Sequence, residues 1–151
     1  MRSARWAGEH GLHLLTSNVV KAEESEDFAG IQVSHVQAYR AANPTGRVSQ
    51  GLVVIPTDGA TPEQRARYAA YVEARTPRTA APQGPARMLF ARDLLGTSEE
   101  IAERLYAHAC FREVTEGVFA LPFDFAPADY EQILTDVATR LAPALGWRSG
   151  T

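Results

Sequence analysis

Arg47-Val-Ser-Gln-Gly-Leu-Val-Val-Ile55 is the stretch on which the fold turns. It is rich in β-branched residues and ends at the turn-forming Pro56-Thr-Asp-Gly59. Its unbroken apolar core, Leu52 to Ile55, reads as a strand buried on both faces, as in a parallel sheet. Just upstream, Asn43-Pro44 stops a helix, because proline disfavours helix in the residue before it. Phe28, Ile31, His35 and Tyr39 of that helix recur at helical spacing, and the acidic stretch Glu23 to Asp27 suits the positive end of its dipole. Just downstream, Thr61-Pro62-Glu63-Gln64 supplies a threonine cap, a proline at the first helical position and a glutamine that completes a capping box. That start predicts a helix to about Arg75.

Farther out the pattern repeats. A helix-like segment, Arg2 to His10 with Met1 at its front, is closed by Gly11 and runs into a first strand, Gly11 to about Ser17. Because the chain enters on a helix, it reads as the back half of a larger βα architecture. Beyond Arg75, Pro77, Pro82, Pro85 and Gly84 exclude helix and central strand, so residues 76–95 are expected to form one long irregular loop over the C-terminal face of the strands. Thr97-Ser-Glu-Glu100 is a second capping box and opens a helix to about His108. The third strand is expected at Val118 to Phe123, with Arg112 to Thr115 as a candidate extension ahead of it. After Asp124 to Pro127 a last helix places Tyr130, Ile133, Leu134, Val137 and Leu141 on one face and stops near Gly146. No hairpin signal joins the strands, so residues 1–151 read as a single α/β domain with about three parallel strands. Three strands cannot close a barrel that takes about eight, leaving an open sheet or a piece of a barrel.

Composition narrows the function classes. With 45% apolar and 22% charged residues in 151, the chain can bury a core. No apolar run approaches the roughly 20 residues of a membrane span, and the N-terminus lacks the apolar centre of a signal peptide, so a cytoplasmic protein is the expectation. A net charge of −3 gives no reason to expect nucleic acid or an anionic membrane as a partner. Cys110 is the lone cysteine, and His10, His13, His35 and His108 show no metal-ligand spacing. The charge is uneven, however: between Arg65 and Arg92 six arginines face one acid, Glu73. Such a segment either faces an anion or is merely solvated and capping carbonyls.

Four segments carry a family resemblance. Ala4-Arg-Trp-Ala-Gly-Glu-His-Gly-Leu-His-Leu-Leu-Thr-Ser-Asn18, Phe28-Ala-Gly-Ile-Gln-Val-Ser-His-Val-Gln-Ala-Tyr-Arg40, Gly96-Thr-Ser-Glu-Glu-Ile-Ala-Glu-Arg-Leu105 and Ala142-Pro-Ala-Leu-Gly-Trp147 resemble the C-terminal portion of the bacterial luciferase-like, flavin-dependent monooxygenases. The resemblance runs in order along essentially the whole chain. It implies strands six, seven and eight of a (βα)₈ TIM barrel, reduced FMN as cofactor, and O₂ with a small organic substrate as reactants. It also admits a flavin reductase as partner. The family's phosphate-binding loop after strand five has no counterpart here, and Ser3 is the only hydroxyl at the front of the first helix.

Barrel chemistry gathers at the C-terminal ends of strands, here Thr16-Ser17-Asn18, Pro56-Thr57-Asp58 and Pro122-Phe123-Asp124. Ser17 and Asn18, with Arg78 from the long loop, are the candidate cofactor-binding residues. Thr57, Phe123 and Asp124 are the candidate substrate pocket. Arg75 and Arg87 join Arg78 in a lid that meets a flavin phosphate or an anionic substrate. Against these stand plainer readings: Ser17 and Asn18 as loop caps, Asp58 as a turn residue leading to the Thr61 cap, Asp124 as a turn former, His108 at the edge of the core, and Cys110 as a small buried side chain. No acid/base dyad, nucleophile–histidine pair or metal site is present to assign, and no catalytic residue is named. Three functions remain: a luciferase-like monooxygenase represented by its C-terminal half, a non-catalytic remnant or interaction module on that scaffold, and an unrelated small α/β binding domain. Uncovered strand edges in a partial barrel predict a homo-oligomer.

Overall fold

The computed structural model describes residues 2–148, so the placement of Met1 ahead of the first helix lies outside the described residues. Helix α1 (Arg2–Glu9) is followed by β1 (Leu14–Thr16), β2 (Val19–Lys21), α2 (Phe28–Ala42), β3 (Val48–Pro56) and α3 (Pro62–Arg75). A 3₁₀ turn at Thr76–Thr79 leads to β4 (Met88–Phe90), β5 (Leu94–Gly96) and α4 (Ser98–Ala107). A second 3₁₀ turn, Ala109–Glu113, precedes β6 (Glu116–Ala120), α5 (Pro127–Asp136), a π turn at Val137–Leu141 and the short α6 (Ala142–Ala144). The fold is mixed α/β, with a parallel sheet flanked by helices.

Strand β3 is the spine. β1 runs parallel to its first half, with Leu14 opposite Val48 and Thr16 opposite Gln50. β6 runs parallel along its other edge, from Ser49 opposite Glu116 to Val53 opposite Ala120. β5 pairs, again parallel, with Val54–Pro56. Side chains alternate along a strand. Leu52 and Val54 therefore share one face and pack with Ile101, Ala102 and Leu105 of α4 and with Leu141. Val48, on the same face, packs with Val36 and Tyr39 of α2, with Cys110, and with Ala4 of α1. Val53 and Ile55, on the opposite face, pack with Tyr68 of α3 and Ile133 of α5. Helices thus cover both faces of β3, which explains its fully apolar second half. On the sheet, Leu15 and Val118 are 58% and 43% exposed.

Local chemistry sets the helices. Thr61 and Thr97 form reciprocal capping boxes with Gln64 and Glu100. Gly11 takes φ +68° two residues past α1, a conformation glycine adopts without the cost of a Cβ. Ala4 and Gly8 are the buried residues of α1. A Cβ at Gly8 would lie 2.8 Å from the Tyr39 carbonyl, so only glycine lets α1 approach α2 this closely.

Several expectations need correction. Residues 76–95 are not one irregular loop: the prolines end at Pro85, after which Met88–Phe90 pairs antiparallel with Val19–Lys21, and β5 enters the parallel sheet from Leu94. The first strand is shorter than Gly11 to Ser17, since β1 holds only Leu14–Thr16, and an unexpected strand, β2, follows the Ser17–Asn18 turn. Residues 112 and 113 lie in a 3₁₀ turn rather than in strand, and β6 stops at Ala120, short of Phe123. On α5, Leu134 is 50% exposed rather than inward, because the buried stripe of this helix runs through Asp129, Ile133 and Asp136.

Candidate functional site

The strand ends are staggered by the register. Thr16 is level with Gln50, while Thr57 follows β3 seven residues later, so the two ends stand about 20 Å apart along the spine at about 3.3 Å per residue. The predicted residues accordingly separate into two groups.

Around the end of β1, the Ser17 hydroxyl reaches Asn18 Oδ1 at 3.3 Å and accepts from the Val19 N–H at 3.3 Å. The Asn18 carbonyl accepts from the Ala91 N–H at 2.9 Å. Val19 pairs with Phe90, and the Arg78 guanidinium lies 4.3 Å over the Phe90 ring. Ser17, Asn18 and Arg78 therefore gather around the β2–β4 ribbon. Arg78 Nε is buried and meets no acceptor, and no carboxylate pairs with Arg78 among the described residues. A buried donor left unpaired costs roughly 1–3 kcal/mol, so this one calls for an acceptor.

Four of the other five arginines of the segment are tied down, and Arg92 is exposed. Arg75 grips Asp93 with Nε at 2.5 Å and Nη2 at 3.3 Å, and stacks 4.6 Å over Tyr71. Arg87 donates to the Ala22 carbonyl and to Glu26, each at 2.8 Å. Arg65 donates to the Ala60 carbonyl, and Arg67 pairs with Asp129 at 3.1 Å. The acids that meet these groups, Asp93, Glu26 and Asp129, all lie outside the Arg65–Arg92 window, so the lid built on Arg75 and Arg87 is a set of internal ties.

Near the end of β3 the second group is looser. Thr57 donates its N–H to Gly96 O at 2.9 Å. Asp58 accepts from Ser98, from its N–H at 2.9 Å and its hydroxyl at 2.7 Å. It is the expected turn residue between β3 and the Thr61 cap, and in addition it fastens the end of β3 to the start of α4. Phe123 is 73% exposed, with its N–H 3.4 Å from the Tyr71 hydroxyl. Asp124 turns the chain at φ +63°, a region asparagine and aspartate tolerate better than most residues. No observation joins Thr57, Phe123 and Asp124 into one pocket.

Two polar clusters escaped the sequence reading. In the first, Asp129 Oδ1 accepts from Gln64 and Arg67 at 3.1 Å each, and from Tyr68 at 3.4 Å, while Oδ2 accepts from the Ala126 N–H. Burial alone would raise this carboxyl, but the hydrogen bonds from Gln64 and Ala126 and the Arg67 charge outweigh it and hold it below the usual range. Tyr68 also donates to Gln132 at 2.9 Å, and Gln132 donates to Asp136 at 2.6 Å. Asp136 accepts the Gly59 N–H at 2.8 Å. Burial and the neighbouring Asp129 push the Tyr68 hydroxyl up, so it stays a donor. In the second cluster, Gln32 of α2, Gln50 of β3 and His108 form a chain behind Ser17. A glutamine on the apolar face of each element was the signal available for it.

Among the described residues no group of three or more His, Cys, Asp or Glu side chains can hold a metal ion, and no helix is long and apolar enough to cross a membrane. No protein-family model matches the chain, and no curated protein matches it.

Proposed function

We propose that this chain is the C-terminal portion of a luciferase-like, flavin-dependent monooxygenase barrel, and that it supplies one wall of a site for FMN at the end of β1. The observation that carries the reading is Arg78: a guanidinium with no carboxylate partner among the described residues and a buried, unpaired Nε, stacked over Phe90, whose strand pairs with the residues that follow the Ser17–Asn18 turn. Parallel strands β1, β3 and β6 lie side by side in chain order, as consecutive barrel strands do. The donor set suits an anionic group such as a flavin phosphate, which takes arginine and hydroxyl donors together. The flavin, when bound, supplies the oxygenation chemistry, and the residues here bind and orient. Self-association fits the exposed Leu15 and Val118.

Titration with FMN and with riboflavin, which lacks the phosphate, tests this. Saturable binding of FMN, weaker binding of riboflavin, and a loss of about tenfold or more in Arg78→Ala are expected, tenfold being about 1.4 kcal/mol. Equal affinity for the two flavins, or an unaffected Arg78→Ala, refutes the phosphate role.

A second reading, a non-catalytic module, is favoured by one observation. Helices cover both faces of β3, whereas barrel helices form an outer ring on one face only. On that reading neither flavin binds saturably.

A further inference from the structure

The chain of amides behind Ser17 has a direction, and its chemistry can be worked out atom by atom. The Ser17 carbonyl can only accept. Gln32 therefore turns its NH₂ toward it, at 2.8 Å, with Thr16 Oγ1 at 3.4 Å from the same nitrogen. That orientation aims Gln32 Oε1 at Gln50, whose own NH₂ must donate, at 2.6 Å. The second hydrogen of the Gln50 amide faces His108 Nδ1 at 3.4 Å. Nδ1 is then an acceptor, and the neutral ring carries its proton on Nε2. Each amide inherits its direction from the one before, and one acceptor is left over. Gln50 Oε1 is buried without a partner in a residue only 1% exposed.

We propose that this relay is a proton-operated latch on the turn after β1: a proton added at His108 Nδ1 sets two donors face to face, Gln50 rotates its spare Oε1 to accept from Nδ1–H, and Gln32 loses its partner. The rotated Gln50 presents oxygen to Gln32 Oε1. Gln32 cannot reverse in turn without setting its own carbonyl against that of Ser17, so the contact opens and the Ser17–Asn18 turn is released.

The groups around His108 leave this event to the relay. Phe28 of α2 meets the imidazole edge-on, with ring centroids 6.4 Å apart. Asp27, just ahead of α2, is the charged group that faces the ring and favours its protonated form. Thr16 carries no charge, and burial pushes the Cys110 thiol up to about 11, so it is neutral. Burial outweighs Asp27 and holds His108 below its ordinary value of 6.5. The latch stands on the hydrogen-bond directions and does not depend on flavin binding.

Long-range nitrogen–proton correlation spectra of the uniformly labelled wild-type chain, from roughly pH 8 to pH 5, test it across the range in which histidine titrates. The expected result is the Nε2–H tautomer of His108 at the alkaline end, with the Ser17, Asn18 and Val19 amides shifting at the same midpoint as the ring. A proton on Nδ1 at the alkaline end, or Ser17–Val19 amides that ignore the titration, overturns the proposal. Gln50→Leu, which removes both the donor to the neutral ring and the acceptor for the protonated one, is expected to uncouple the Ser17–Val19 amides from the His108 titration. Ser17–Val19 amides that still follow the ring in a folded variant also overturn it.

Discussion

The two halves of β3 solve the same problem, polar groups inside the core, in opposite ways. Beyond its second half, buried Asp129 and Asp136 carry charge, and every donor around them has found an acceptor. Beside its first half, Gln32, Gln50 and His108 carry no fixed charge, and one acceptor is orphaned. A fully paired cluster has one arrangement and resists change. A chain with a spare acceptor has a second arrangement within reach. The lesson is that unpaired atoms, rather than charge, mark the part of this molecule that can switch.

The sharpest way to break the comparison is a matched pair of truncations followed by urea unfolding. Asp129→Ala leaves the Ala126 N–H without its acceptor and removes the shared acceptor of Gln64 and Arg67, while Tyr68 keeps Gln132, and is expected to cost about 2–3 kcal/mol. Gln50→Leu near pH 8 removes one orphaned acceptor but leaves Gln32 Oε1 and His108 Nδ1 without their donor, and is expected to cost about 1–2 kcal/mol. Equal losses would show that the halves do not differ.

Acidification separates them next. His108 and His35 are both held below 6.5 by burial. From 6.5 down to their folded values the unfolded chain binds the extra protons, so stability falls with pH across that window. Asp129 acts lower: its folded value lies below 3.8, so its contribution is complete above 3.8 and disappears as pH falls through the folded value. Unfolding curves of His108→Gln near pH 5 and pH 7 are expected to show a smaller loss on acidification than wild type, while Asp129→Ala is expected to keep the wild-type slope.

The smallest effect belongs to the Asp58 tie to α4. Asp58→Asn keeps an acceptor for the Ser98 N–H and hydroxyl and is expected to cost about 0.5 kcal/mol, against about 1–2 kcal/mol for Asp58→Ala. Thermal unfolding of the two variants distinguishes a hydrogen-bond tie from a mere turn residue.

What was legible in the sequence was what neighbours decide. The Thr61 and Thr97 boxes operate within four residues, and the apolar Leu52–Ile55 run states its two-sided burial outright. The β2–β4 ribbon was not legible, because three-residue strands about 70 positions apart leave no periodicity to read. The strand-end rule points to Ser17, Asn18 and Thr57 alike and the arginine-rich segment to Arg78, but that Thr57 stands apart from Ser17 and Asn18 was not legible, since the stagger between β1 and β3 is a property of register. Arg75 looked free only because its partner Asp93 stands just past the arginine window. The Gln32–Gln50 contact joins two elements whose facing sides no local pattern reveals.

Every parallel pairing in this sheet is made with β3: β1 at its start, β6 along its middle and β5 at its end. None of those three strands pairs with another of them, so none can gain a ladder before β3 has docked. That pairing predicts a folding order with β3 as its nucleus, in which the loop closures that bring distant segments to it are the slow step. Mutations that weaken β3 itself should act on the rate of folding, whereas those on its partners should act mainly on the rate at which the sheet comes apart.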